Sequence, residues 1–199
     1  MTISLPANAI PNGASPLLRD FSGIATPFLG GPEIRYEGIG TRFGLNVSMP
    51  MQESADDGRI LVSRLLQARS SRLLMPWPLL DFDPGSPGSP VVDGAVTGGS
   101  ALPVAGLSAG YQAKEGQFFS IIHNSRRYVH MITGDGTANA SGDLALGIFP
   151  MLRTDLTAGD VIELAQPMIE GHVLPGDELR WQMSIDRHIG VSFSVMEAA

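Results

Sequence analysis

The sequence predicts an all-β protein with one main helix, and three observations carry that reading. First, 24 glycines and 15 prolines in 199 residues interrupt helix throughout and favour short segments joined by tight turns. Second, apolar residues alternate with small or polar ones in several separate runs, as they do along half-buried strands. Third, one stretch alone, about 56–70, carries apolar residues at helical spacing. The organisation expected from these runs is a discontinuous first domain, residues 1–93 plus 172–199, with a small β-barrel or sandwich inserted at 94–171.

Residues 1–18 read as an irregular arm, because Pro6, Pro11 and Pro16 each withhold a backbone donor and Asn12-Gly13 signals a turn. In 21–50, Phe43, Leu45, Val47 and Met49 alternate with Gly44, Asn46 and Ser48, giving a strand with one apolar face. Ile34 and Tyr36 suit a shorter partner strand across the turn Glu37-Gly38-Ile39-Gly40, so an antiparallel hairpin or a three-stranded meander is expected over 21–50, with the hairpin around 34–50. The helix follows, with Ser54 or Asp56 as its cap and Ile60, Leu61, Leu65 and Ala68 on its apolar face. Arg59, Arg64, Arg69 and Arg72 fall largely elsewhere and read as a solvated or interface face.

Pro76 and Pro78 forbid helix and confine any strand around Trp77 to an edge. The Gly/Ser/Pro run 84–90 reads as a connector. Strands are then expected at 116–122 and 127–132, joined by a turn at 123–126, and at 144–149 and 161–164. A last pair is expected where Leu179, Trp181, Met183 and Ile185 alternate with Arg180, Gln182 and Ser184, and where Val191, Phe193 and Val195 alternate with serines. The turn Arg187-His188-Ile189-Gly190 would join them.

Composition removes several function classes. The absence of cysteine excludes disulfide scaffolds, zinc–thiolate sites, iron–sulfur clusters and cysteine nucleophiles. A net charge of −7, with Lys114 the one lysine, argues against tight nucleic-acid binding, which needs many cations on phosphates. Met1–Pro6 shows no basic segment and no apolar core, so no secretory leader is expected. No stretch approaches the ~18 apolar residues of a membrane span. A soluble product made in the cytoplasm is the expectation.

The candidate chemistry is thin. The four histidines, His123, His130, His172 and His188, form no helical i,i+4 pair and no HExxH. A metal or hydrolase centre would require His123 and His130 to converge on Asp135. The loop 134–143 places Asp135, Thr137, Asn139, Ser141 and Asp143 at every second position, as in a calcium loop, but lacks the distal bidentate glutamate. Gly85-Ser86-Pro87-Gly88 is no nucleophile elbow, and nucleotide-binding glycine motifs are missing. Asp81 and Asp83 read as edge acids. The expectation is therefore a protein that is not an enzyme, with no catalytic residue, no metal and no cofactor. Interaction features are more plentiful: edge strands, an apolar-dotted arm, Trp77 between prolines, nine methionines and a mostly arginine cation set.

Taken in order, certain runs resemble a family. They are Thr41–Pro50, then the helix, then Trp77 with Asp81-Phe82-Asp83-Pro84-Gly85 and Pro87-Gly88. Asp93-Gly94-Ala95, Gly116–Ile121 and Arg127-Tyr128-Val129-His130 come next. Gly142-Asp143-Leu144, Ile148–Arg153 and Phe193–Glu197 complete the series. The chain resembles the distal tail proteins of siphophages and related prophage particles, over most of its length from about residue 35. That resemblance implies a virion structural protein with a belt domain forming a homohexameric ring at the tail tip, within the baseplate, and a galectin-like or oligonucleotide-barrel-like module outside it. The implied partners are further copies of the chain, the tail tube protein above, and hub or fibre proteins below. Genome DNA would pass through without specific binding, and no membrane is involved. No catalytic residue is carried over, since the family has none. The short second module and the lack of clear sugar-binding aromatics depart from the family and count against direct host-sugar binding. The alternatives are a carbohydrate-binding adsorption module of a phage tail, or another phage minor tail or connector protein. A ring around DNA favours an acidic or neutral lumen, with Asp and Glu outnumbering Arg; a lumen lined by Arg59, Arg64 and Arg69 would count against it.

Overall fold

The ten-residue strand His188–Glu197 is the longest in the protein and organises its first sheet. In a computed structural model, residues 2–6, 9–79, 81–174, 179 and 181–198 are described. Among the described residues the fold is all-β with a single α-helix, in keeping with the alternation of apolar residues. Among the described residues no helix is long and apolar enough to cross a membrane. Two compact units are present: one of Met1–Leu17, Phe43–Pro78 and Met168–Ala198, the other of Leu18–Arg42 and Leu79–Pro167.

In the first unit the strand order is Thr2–Ser4, Arg72–Pro76, Met168–Val173, His188–Glu197, Arg42–Ser48, Gly13–Arg19. The second half of His188–Glu197 pairs with Arg42–Ser48, placing Val195 opposite Leu45 and Phe193 opposite Val47. Those four side chains are buried, so the two alternating runs supply one apolar face between them. The first half of the same long strand pairs instead with Trp181–Met183 and Gln52–Glu53. The helix Asp57–Ala68 buries Gly58, Leu61, Leu65 and Ala68, a three–four spacing that keeps one stripe inward. Gly58 lets the helix approach closely there, since a Cβ would stand 3.0 Å from the Glu53 carbonyl oxygen and 3.1 Å from Ile189 Cβ, close enough that a neighbour would have to give way slightly.

The second unit is built on a closed barrel. Around it run Phe118–His123, Arg126–Ile132, Leu144–Phe149, Ala101–Leu107, Gly88–Val92 and Val161–Glu163, the last pairing back to the first. Every barrel pairing is antiparallel. Its interior is filled by Phe119, Ile121, Leu102, Leu146, Ile148 and Ile162 among others, all at most 3% exposed. The turn between the first two of these strands is the pair Asn124-Ser125, both at positive φ (48° and 60°), which matches the twist of a tight hairpin.

Several expectations are corrected. Residues 1–18 are not an irregular arm: Thr2–Ser4 lies parallel to Arg72–Pro76, and Gly13–Arg19 borders Arg42–Ser48. Ile34–Tyr36 does not pair with Arg42–Ser48 but with Gly23–Ala25, so the expected 34–50 hairpin does not exist; its two strands each find partners outside it. Arg72–Pro76 is flanked on both sides, although Thr2–Ser4 reaches only residues 72–74, which leaves Pro76 where one donor is dispensable.

The 84–90 connector contains the start of barrel strand Gly88–Val92, with the register shift between Gly88 and Val91 absorbing Ser89 and Pro90. The expected boundaries at 93/94 and 171/172 therefore differ from the observed ones: Val92 is a barrel core residue and Met168–Val173 is a strand of the first sheet. Residues 18–42 also fall with the second unit. Asp56 makes no side-chain cap, and Ile60 is 40% exposed rather than inward. The last turn is earlier than expected, spanning Ser184–Arg187, with His188 already in the strand. Arg180, expected on the strand before it, lies outside the described residues.

Candidate interaction surface

The short hairpin Gly23–Ala25/Ile34–Tyr36 has an ordered foot and a bare apolar tip. At the foot, Asp20 Oδ1 accepts from Ser22 N at 2.8 Å, from Ser22 Oγ at 2.5 Å and from Thr41 Oγ1 at 3.1 Å. The Ser22 donors hold the Asp20 carboxyl below the usual carboxylate range. Thr41 Oγ1 in turn accepts from Phe21 N at 3.1 Å. The Phe21 ring lies 5.6 Å from the guanidinium carbons of both Arg19 and Arg42. Such cation–π contacts fix the ring.

The tip is of opposite character. Pro27 accepts from Gly30 N at 3.1 Å, and that turn holds Phe28 and Leu29 at 99% and 94% exposure. Ile24, Ile34, Tyr36 and Ile39 add further exposed apolar surface. Loop tips are ordinarily polar, since nothing offsets the cost of hydrating large apolar side chains there. Ile34 and Tyr36 share one face of the hairpin and Ile24 faces the other beside Arg35, so the apolar cluster is the tip with that one face; such a cluster signals contact with another surface.

A second apolar hairpin lies in the first unit. Ser184 N donates to His188 O at 2.9 Å, and Arg187 at φ 62° closes the turn between Trp181–Met183 and the long strand. Met183 is 74% exposed and Ile185 fully so, with Met51 also exposed. Residue types alone pointed to edge strands and to 34–50 as the contact region. Phe28, Leu29 and Ile185 were missed, though Pro27-Phe28-Leu29-Gly30-Gly31-Pro32 carries the signal: two large apolar residues between turn formers.

The residues singled out for chemistry do not meet. His123 is the last residue of its strand, not a turn residue; its Nδ1 lies 2.7 Å from Asp160 Oδ2, and its Nε2 2.7 Å from Asn124 Nδ2. Burial works to raise the Asp160 pKa, but the Thr157 N–H and His123 hydrogen bonds outweigh it and leave the carboxyl lowered. His130 is buried against the Pro150 carbonyl, and burial lowers its pKa to about 4. Asp135 instead accepts from Glu115 N at 2.8 Å and pairs with Lys114 at 3.4 Å. His172 and His188 are exposed on different strands. In the 134–143 loop, Asn139 Oδ1 accepts from Ser141 N and Asp143 N, so that oxygen serves the loop's own backbone, and Asp143 Oδ2 accepts from Asn139 Nδ2. Among the described residues no group of three or more His, Asp or Glu could hold a metal.

Trp77 is 2% exposed, edge-on to Phe43, so it is core and not surface. Phe119 and Tyr128 of the barrel are buried, and Tyr111 packs against the core while its hydroxyl accepts from Gln117 Nε2 at 2.9 Å. Phe118 and Phe149 remain partly exposed on the barrel's outer face, one on either side of Met131 in register across three strands. Arg59 Nε donates to Ala55 O at 3.1 Å and Arg64 Nη1 to Ser4 O at 3.0 Å, while Arg72 pairs with buried Glu170 at 3.0 Å. A small cleft at the hairpin foot is lined by Asp20, Ser22, Arg35 and Thr41, whose polar groups already serve one another in part. The first sheet ends in two border strands, Thr2–Ser4 and the longer, mostly exposed Gly13–Arg19, with Pro16 in the middle of the latter. No protein-family model matches the chain, and no characterised protein matches it in sequence.

Proposed function

We infer that the chain is a non-catalytic structural subunit that assembles with copies of itself, acting as the distal ring of a phage tail tip between the tail tube and the hub or fibre proteins. The observation that carries this reading is the projecting hairpin whose tip leaves Phe28 and Leu29 almost wholly in water. An isolated chain gains nothing from that arrangement; a subunit completes it between chains. The border strand Gly13–Arg19 and the second apolar hairpin support the same reading. So does the order of sequence runs shared in outline with distal tail proteins. Six-fold symmetry, the tube and hub partners and the location in the virion belong to that resemblance.

The acidic balance of the chain suits a channel through which DNA must slide, and the helix arginines Arg59 and Arg64 donate to the carbonyls of Ala55 and Ser4. Antibody labelling of particles from a strain carrying this chain tests the reading. Label confined to the tail end is expected; label on the head, or particles lacking the chain, would refute it.

A further inference from the structure

We propose that Asn12-Gly13 is a site of spontaneous covalent modification in the folded chain: the asparagine closes to a succinimide and reopens chiefly as isoaspartate, which loosens the border strand Gly13–Arg19. This stands whether or not the chain assembles.

Asn12 is followed by glycine, and no other asparagine of the sequence is. The nucleophile in this reaction is the backbone nitrogen of the following residue, and glycine crowds it least because it has no Cβ. Asn12 stands at a bend immediately before the strand, and both it and Gly13 are exposed. Among the described residues nothing hydrogen-bonds its side chain. The other described asparagines are placed differently. Asn46 lies within a strand before Val47, whose branched side chain crowds the nitrogen. Asn124 Nδ2 lies 2.7 Å from His123 Nε2, and Asn139 is bonded through both Oδ1 and Nδ2. Those bonds hold both amides in place.

Neither space nor backbone conformation requires the glycine. A Cβ on Gly13 would stand 3.7 Å from Ser48 Cβ, an ordinary contact, and its φ lies outside the left-handed region. Gly13–Arg19 has a described neighbour on one side alone, the strand Arg42–Ser48. The first residue of such a border strand swings out cheaply, as ring closure requires, because few contacts break when it does.

The Gly13 nitrogen, its proton taken by hydroxide, attacks the Asn12 side-chain carbonyl carbon Cγ. The new N–Cγ bond closes an imide ring, the Cγ–Nδ2 bond breaks, and ammonia leaves with a proton from water. Water then opens the ring at either carbonyl. Breaking the bond to Cγ gives aspartate; breaking the bond to the main-chain carbonyl carbon gives isoaspartate, whose chain runs on through Cβ and Cγ. In sum, one water is consumed and one ammonia released, with no oxidant or reductant. Isoaspartate lengthens the main chain by one atom and adds a carboxylate, at the residue whose N–H donates to Ser48 O at 3.1 Å. A displaced backbone there loses that bond and the alignment of the strand's first residues.

The test incubates the full chain, folded and dilute, at mildly alkaline pH and follows each asparagine by peptide mass mapping after digestion with an acid protease. Exchange of NH2 for OH should accumulate at Asn12 roughly ten-fold faster than at Asn46, Asn124 or Asn139, with isoaspartate identified by isoaspartyl methyltransferase labelling. Gly13→Ala, which the space beside Ser48 admits, should keep the parent's thermal midpoint and convert roughly ten-fold more slowly. Asn12→Gln is a second variant and should abolish the conversion. In the converted chain the amides of 13–19 should exchange hydrogen several-fold faster than in the parent. Freshly prepared Asn12→Asp has the charge without the added atom and should exchange like the parent. Asn12 staying intact in the folded chain, conversion led by another asparagine, or an unslowed Gly13→Ala would overturn the site. Unchanged exchange in the converted chain, or equal loosening in Asn12→Asp, would overturn its link to the strand.

Discussion

His130 donates from Nδ1 to the carbonyl oxygen of Pro150 at 2.8 Å, and this bond fixes the tautomer of an imidazole that is 2% exposed. The ring also lies 5.9 Å from that of Phe119, its cross-strand partner. Burial disfavours the imidazolium, with the Arg153 charge adding to the effect against the opposing Pro150 bond, and the pKa falls from 6.5 to about 4. The unfolded chain therefore binds the extra proton between those two values. Stability is whole above pH 6.5 and declines as the pH drops towards 4, by on the order of 3 kcal/mol from this group. Urea midpoints measured from pH 4 to pH 7 should show that decline in the parent and a shallower one in His130→Gln. An unchanged slope in the variant would contradict the assignment.

Phe43 and Trp77 meet edge to face at 5.7 Å between centroids, both buried in the first unit. Trp77→Ala should cost about 3–5 kcal/mol, the range for removing a large aromatic from a core. Denaturant titration followed by far-UV circular dichroism measures it. Tryptophan emission gives a second check: Trp77 should emit at shorter wavelength than Trp181, which is 38% exposed.

Gly171 is where strand Met168–Val173 passes closest to the long strand. A Cβ there would collide with the Met196 carbonyl oxygen, which is backbone and has no side-chain freedom to yield. Gly171→Ala should therefore destabilise by about 1–3 kcal/mol or more through overpacking. Ordinary replacement of a strand glycine by alanine would be neutral or stabilising instead. A higher thermal midpoint in the variant would show that the strands are not this close.

Two phenylalanines test the division between core and contact surface. Phe119 is fully buried in the barrel and Phe28 is 99% exposed. Phe119→Ala should cost about 3–5 kcal/mol, whereas Phe28→Ser should change folding stability by less than about 0.5 kcal/mol. Chemical denaturation of dilute protein, below the assembly concentration, separates the two effects. A large loss in Phe28→Ser would place that side chain in a core.

What was legible in the sequence was local. The apolar runs Phe118–Ile122 and Tyr128–Ile132 and the pair Asn124-Ser125 between them mark a hairpin without reference to anything distant. The helical spacing of Leu61, Leu65 and Ala68 is likewise local. What was hidden depends on partners far along the chain. Thr2–Ser4 is a strand only because Arg72–Leu74 lies beside it, some seventy residues on, and its prolines and lack of period gave no sign of that. Gly88–Val92 was masked by glycine, serine and proline, residues that a bulged barrel strand tolerates but that read as a linker. Ile34–Tyr36 was matched to the wrong partner for the same reason: pairing is a property of two segments, and a short run fits several. The contact surface was partly legible. Apolar residues among turn formers at 27–32 marked it, but exposure is settled by where the hairpin projects, not by composition.

The most direct measurement is the mass of the unsubstituted chain in solution, by native mass spectrometry and sedimentation across a concentration series. A discrete closed oligomer that persists on dilution into the low micromolar range is expected, with F28D/L29D shifting it to the 21.1 kDa monomer. A single 21.1 kDa species at every concentration would mean that the apolar hairpins have no mate on a sister chain, and the account would fail.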